Sequence, residues 1–284
     1  MSATISSTRE AVPFRIRTAD GTTTELSYSS PRPAALHDER EVLESLPWFE
    51  PGKPLRNFML HESDFYDEVE QIWGRGPTVI LAHGWGSRAG RFSALAAALV
   101  AAGFRVILFD APAHGASMGR QASLPQFARA LRDVGDTAGS IHGLVGHSLG
   151  GAAVSLAMHQ GLASRRAVLL APPADVFLFS HAFAEHLRIP PRARDVMQQN
   201  LETRLQIRWE QLHVPTLARG MTAPALVVHD VQDPDVPFTH GEEIARAWPG
   251  AELVSTRGLG HRSILRDRDV VRRTVEFLQA GLSG

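Results

Sequence analysis

From residue 78 onward, short apolar runs alternate with stretches whose apolar residues recur every three or four positions. Thr78-Val-Ile-Leu-Ala82 is an unbroken apolar run, as in a strand covered on both faces. In Arg91 to Ala102, the residues Phe92, Leu95, Ala96, Leu99 and Val100 keep helical spacing, and Gly103 is a natural helix terminator. The alternation continues with a strand over Phe104 to Phe109. Next comes a helix carrying Phe127, Leu131 and Val134, with Ser123 as its N-cap and Gln126 three residues on. A strand over Ile141 to Val145, a helix over Leu149 to Gln160 and a strand over Ala167 to Leu170 follow. After a gap, strands are predicted over Ala225 to His229 and Glu252 to Ser255, and helices over Gly241 to Trp248 and Asp267 to Ala280. Strand and helix alternating this regularly predict an α/β fold with a mostly parallel sheet and helices on both faces.

Two regions depart from the rhythm. Residues 174 to 219 hold two or three helices, with Pro190-Pro191 between them and no strand, and are expected to form a helical insertion over the sheet edge. Residues 1 to 54 contain weak alternation over Phe14 to Arg17 and Thr22 to Tyr28 around Asp20-Gly21, a hairpin signal, and are then broken by Pro31, Pro33, Pro47, Pro51 and Pro54. They are taken as an N-terminal leader. Further strands are expected over Arg56 to His61 and Glu68 to Trp73. The organisation is thus a leader (1–54), a core (55–173 and 220–284) and a helical cap (174–219).

Composition narrows the function. A chain of 284 residues can bury a large core without staples. With 29 Lys+Arg against 30 Asp+Glu, it lacks the basic excess that nucleic-acid and acidic-membrane partners call for. There is no cysteine, hence no disulfide, thiolate metal site or cysteine nucleophile. The N-terminus is polar and no apolar run is long enough to span a bilayer, so a soluble cytoplasmic protein is expected.

The sharpest motif is Gly146-His147-Ser148-Leu149-Gly150, between a predicted strand and a predicted helix. A nucleophile on so tight a turn sits in a strained backbone, and glycines two residues either side avoid collision. The helix N-terminus beneath favours developing negative charge. A serine needs a base, and the base an orienting carboxylate. His261 lies between the last strand and last helix, in a loop taken as flexible. Asp230, Asp233 and Asp235 follow the strand before it.

These features together resemble the α/β-hydrolase family over about residues 55 to 284. The resemblance implies a triad of Ser148, Asp233 and His261, Asp233 being selected by the pattern Asp233-x-x-Val236-Pro237. His83-Gly84-Trp85-Gly86 resembles the family's oxyanion loop, which implies that the N–H groups of Trp85 and Leu149 form the oxyanion hole. Asp110-x-x-Ala113-His114-Gly115-x-Ser117 resembles another family loop, with Ala113 where the family carries glycine. A serine hydrolase acting on a small ester or acyl substrate is implied, carboxylesterase first. Thioesterase, lactonase and carbon–carbon bond hydrolase share the machinery, and a non-catalytic ligand-binding protein could share the fold.

Among the other histidines, His83 and His114 are expected to tie loops together, and His147 to pack or hydrogen-bond locally beside the nucleophile, or to touch substrate. His181 and His186 are poorly spaced for a shared metal, and no metal or other cofactor is expected. In the cap, Val176, Phe177, Phe179, Phe183 and Leu187 make an apolar surface that either packs on the core or lines the pocket, with Phe179 and Phe183 on one helix face. Six arginines against five acidic residues over 174 to 219 give no sign of an anionic substrate, and nothing fixes the oligomeric state.

Overall fold

The computed structural model describes residues 12–17, 23–28, 70–119, 122–176, 181, 190–205, 207–280 and 282. Seven strands form one sheet: β3 (Glu70–Trp73), β4 (Thr78–Ala82), β5 (Arg105–Phe109), β6 (Ile141–His147), β7 (Arg166–Leu170), β8 (Ala225–Asp230) and β9 (Ala251–Thr256). Their spatial order is β3-β5-β4-β6-β7-β8-β9. β3 runs antiparallel to β5, and every other pairing is parallel. The strands β1 (Val12–Arg17) and β2 (Thr23–Tyr28) pair antiparallel in a separate two-stranded sheet, from Val12 opposite Tyr28 to Arg17 opposite Thr23.

The unbroken apolar runs follow from two cores, one on each face. On β4, Ile80 and Ala82 join one buried cluster, while Val79 and Leu81 join the other. The first cluster is closed by α2 (Leu124–Ala138), α3 (Leu149–His159), α5 (Val214–Ala218) and α6 (Phe238–Ala247). The second is closed by α1 (Ser93–Ala101) and α8 (Arg268–Gln279). Alternate side chains of a strand face opposite sides, so a sheet covered on both faces favours near-continuous apolar runs.

Helix ends show which local signals decided. α1 ends with Gly103 at φ 89°, the Phe104 N–H donating to Leu99 O and the Gly103 N–H to Val100 O, both at 3.0 Å. α3 ends in the same Schellman geometry at Gly161, with Leu162 N–H on Ala157 O. At the start of α2, Ser123 Oγ instead donates to Gln126 Oε1 at 2.9 Å and caps no backbone N–H, so the expected capping box is a side-chain pair. α1 begins later than expected because a 3₁₀ turn, Ala89–Phe92, precedes it.

The described part of the 174–219 region is helical: α4 (Pro191–Leu205), a 3₁₀ turn (Trp209–Leu212) and α5. It connects β7 and β8, which lie side by side inside the sheet. Its last stretch is core, since Leu212, Val214, Leu217 and Ala218 are buried in the first cluster. The strand expected over Arg56 to His61 lies outside the described residues, as does the Asp20-Gly21 turn. No helix among the described residues is long and apolar enough to cross a membrane.

Candidate active site

β6 ends at His147 and α3 starts at Leu149, which leaves Ser148 alone on the turn at φ 53°, ψ −126°. A non-glycine residue held there stores on the order of 1–3 kcal/mol of strain. The turn is pinned by the Ser148 N–H on Leu170 O at 2.9 Å. Its flanking glycines are obligatory: a Cβ on Gly146 would lie 2.3 Å from Gly150 O, and one on Gly150 would lie 2.1 Å from Ala82 O.

Asp233 and His261 approach from the loops after β8 and β9. His261 Nδ1 is 2.8 Å from Asp233 Oδ2, and since a carboxylate only accepts, the ring donates from Nδ1 and leaves Nε2 free of that bond. The other Asp233 oxygen accepts from the N–H groups of Asp235 and Val236. The Asp233 side chain is fully buried, which disfavours its charge, but the His229 and His261 rings and the Val236 N–H outweigh this and hold its titration below the usual carboxylate range. Asp230 faces a different set of partners. It is fully buried and accepts from Gln232 N–H, Thr256 Oγ1 and Leu259 N–H, clamping the loops together away from the imidazole. Asp235 is largely exposed. Of the three aspartates, only Asp233 contacts His261 in this way. His261 itself lies in a short helical turn, α7 (Gly260–Ser263), where a flexible loop was expected.

The loop after β4 is held by histidines in a fixed tautomer. His83 Nε2 accepts from Ala111 N–H at 2.9 Å, and its Nδ1 donates to Gly84 O at 2.8 Å. His114 Nε2 accepts from Gly86 N–H at 2.9 Å, and its Nδ1 donates to Pro112 O. Asp110 completes the brace, accepting from Ala89 N–H with one oxygen and Ala116 N–H with the other. Gly115 is required beside it, because a Cβ there would fall 2.0 Å from Asp110 Oδ2. Ala113 takes φ 60°, a left-handed conformation, which accounts for the glycine expected at this position. Ser87 N–H is bound to Gly84 O. Among the described residues, neither the Trp85 N–H nor the Leu149 N–H donates a hydrogen bond.

His147 joins the two halves. It is buried, and its Nε2 donates to the His261 carbonyl at 2.8 Å. Burial lowers its pKa to about 3, and burial likewise lowers that of His83 to about 4. Unfolded, both rings would protonate near 6.5. Below that value the unfolded chain binds more protons than the fold, so the stability present in full above it is lost as pH falls. At pH 5 each ring should have cost about 2 kcal/mol, so denaturant titration should find the protein about 4 kcal/mol less stable at pH 5 than at pH 7. Equal unfolding free energies at the two pH values would contradict two buried neutral imidazoles.

A cavity of about 800 Å³ opens over this arrangement, lined by Gly84, Trp85, His147, Ser148 and His261 among others. Phe177, Phe179, Phe183 and Leu187 of the expected apolar face lie outside the described residues, as does His186. No group of three or more potential metal ligands occurs among the described residues.

Residues 76–274, more than two thirds of the chain, match the family model described as serine aminopeptidase, S33. The chain belongs to the α/β-hydrolase family. This hydrolase is also 29% identical to a 2-hydroxy-6-oxo-6-phenylhexa-2,4-dienoate hydrolase of Burkholderia cepacia, over 81% of the chain and 94% of that protein. Its fold is similar to that of lip1 from Acinetobacter baumannii AYE, with a TM-score of 0.66 and 21% identity over 87% of this chain and 95% of that one. It is similar also to an esterase from Exiguobacterium antarcticum, with a TM-score of 0.63 and 14% identity over 79% and 100% of the two chains.

Three residues of the hydrolase carry roles that the sequence reading did not assign. Asp110 braces two loops, and its one signal was its place at a strand end opening the Ala113-His114-Gly115 loop. His229 donates to Val236 O and lies 3.6 Å from Asp233 Oδ2, supporting the loop that holds that carboxylate. His147 was expected to pack near the nucleophile, but nothing in its spacing pointed to the His261 carbonyl 114 residues away.

Proposed function

We propose that this chain is a serine hydrolase that cleaves an ester-type bond through an acyl-enzyme. Ser148 Oγ attacks the carbonyl carbon while His261 Nε2 takes its proton, and Asp233 holds the ring with Nδ1 as donor. The Trp85 and Leu149 N–H groups stabilise the tetrahedral oxyanion. Collapse expels the alcohol, which takes the proton back from His261, and water then releases the acid by the same steps in reverse order. The observation that carries this reading is the 2.8 Å contact between Asp233 and His261, opening on the same cavity as a strained Ser148. The two N–H groups left open beside that cavity support it.

A fluorophosphonate probe should label the protein once, at Ser148, as read by mass spectrometry of the digested adduct. Absence of labelling, or labelling at another residue, would reject the serine hydrolase and favour a ligand-binding protein on this fold. A second reading, cleavage of a carbon–carbon bond, is favoured by the similarity to the Burkholderia cepacia enzyme. It uses the same residues. Rates on p-nitrophenyl esters, acyl-CoAs, lactones and that enzyme's named dienoate separate the readings.

A further inference from the structure

The cavity beside Ser148 has a one-sided charge. Among the described residues, three arginines line it, Arg91, Arg262 and Arg266, against a single carboxylate, Asp235. They come from two directions. Arg91 sits on the 3₁₀ turn that follows the Gly84–Gly86 loop, so it flanks the Trp85 side. Arg262 is next in sequence to His261, and Arg266 is four residues further on, so both flank the His261 side. The chain as a whole is balanced, with a formal net charge of −1, so this imbalance is local.

Some arginines elsewhere on the described surface are tied up in ion pairs. On α8, Arg272 pairs with Asp269 and Glu276, and Arg273 pairs with Glu252. At the cavity, only Arg262 has an acidic neighbour among the described residues, Asp235 at 4.0 Å, and both side chains are substantially exposed. Such a pair contributes little and exchanges readily for a better anion. Arg91 and Arg266 have no carboxylate in ion-pair range among the described residues. A guanidinium offers a planar fork that matches a carboxylate or phosphate with two parallel hydrogen bonds. Several of them at the rim of a cleft also concentrate anions there before binding. Trp85 and Leu265 line the same cavity and supply apolar surface for the body of such a molecule.

We infer that this site takes substrates bearing an anionic head, a carboxylate or phosphate, held by Arg91, Arg262 and Arg266 on the part of the molecule remote from the bond that is cut. The inference rests on reading the cavity as the substrate site. It deepens that reading by naming a substrate class that the cap sequence, with its balanced charge, did not suggest.

The test is calorimetric titration of the full wild-type chain with three anilides: glutarate monoanilide, its phosphonate counterpart, and the neutral glutaramide anilide. One or both anionic probes should bind at least tenfold more tightly than the neutral one, and the tighter of the two identifies the head. That advantage should shrink between 0.05 and 0.5 M salt, and fall below threefold in Arg262→Gln/Arg266→Gln and in Arg91→Gln. Equal affinities of the wild type for charged and neutral probes, including no binding of either, overturn the anion site whatever the variants do. Fluorophosphonate labelling, run alongside, keeps the two readings apart. Labelled Ser148 with equal affinities removes the anion site and leaves the hydrolase. Tight anion binding without labelling does the reverse.

Discussion

Replacing Ser148 by alanine is expected to lower kcat by roughly 10⁴ to 10⁶, with what remains coming from binding and the oxyanion donors. The structure sharpens the reason. Ser148 is held at φ 53° by a turn whose flanking glycines, Gly146 and Gly150, cannot accept a side chain, so backbone geometry fixes where its Cβ projects. Alanine keeps the Cβ and the strain, so the fold should survive and the melting temperature should stay close to that of the wild type. Comparing single-turnover rates of the two proteins on one activated ester decides it. A variant within tenfold of wild type would remove Ser148 from the chemistry.

Asp233→Asn ranks second, with an expected loss of about 10³ to 10⁴ in kcat. The Asn amide can turn its NH₂ toward His261, so the ring accepts at Nδ1 and carries its proton on Nε2, where it can no longer take one from serine. If the amide turns the other way, its NH₂ faces the Asp235 and Val236 N–H groups, and that orientation is disfavoured. Asp230→Asn should act in another way. Both Asp230 oxygens accept from backbone N–H groups, those of Gln232 and Leu259, so either amide orientation sets donor against donor. Its signature should be a lower melting temperature, with little change in kcat for the folded fraction. Asp235→Asn should leave kcat within a fewfold of wild type. Rates and melting temperatures for the three variants check the ranking, and a larger kcat loss for Asp230→Asn than for Asp233→Asn would move the orienting role.

Much of this site was legible in the sequence because its parts are local. The Gly146–Gly150 motif spans five residues, and its steric logic is complete within them. The strands were legible too, since a sheet covered on both faces favours near-continuous apolar runs, as in β4, β5, β7 and the first part of β8. Other features depended on distance. Nothing within a few residues of His147 shows that its ring meets the His261 carbonyl, or that Asp110 holds the Ala89 and Ala116 N–H groups. The spacing Asp233-x-x-Val236-Pro237 could select an aspartate only by resemblance, whereas the hydrogen bonds separate Asp230 from Asp233 physically. The region after Ala174 misled at its end. Leu212 to Ala218 read as cap because they follow helices, yet their apolar residues complete the main core. Cap and core helices present the same periodicity, and only the partner face tells them apart.

The bond from His147 to the His261 carbonyl has a mechanical meaning. The serine rides at the end of β6 and the histidine after β9, with two strands between them. At ordinary strand spacing that is about 14 Å of sheet, and a sheet twists and breathes. If the serine-to-imidazole gap depended on the sheet alone, the small play of every intervening strand would add up at the point where the proposed mechanism moves a proton. The imidazole of His147 short-circuits that chain of tolerances. It references the histidine turn directly to the serine's own strand end, so the scaffold can flex while the working gap stays fixed.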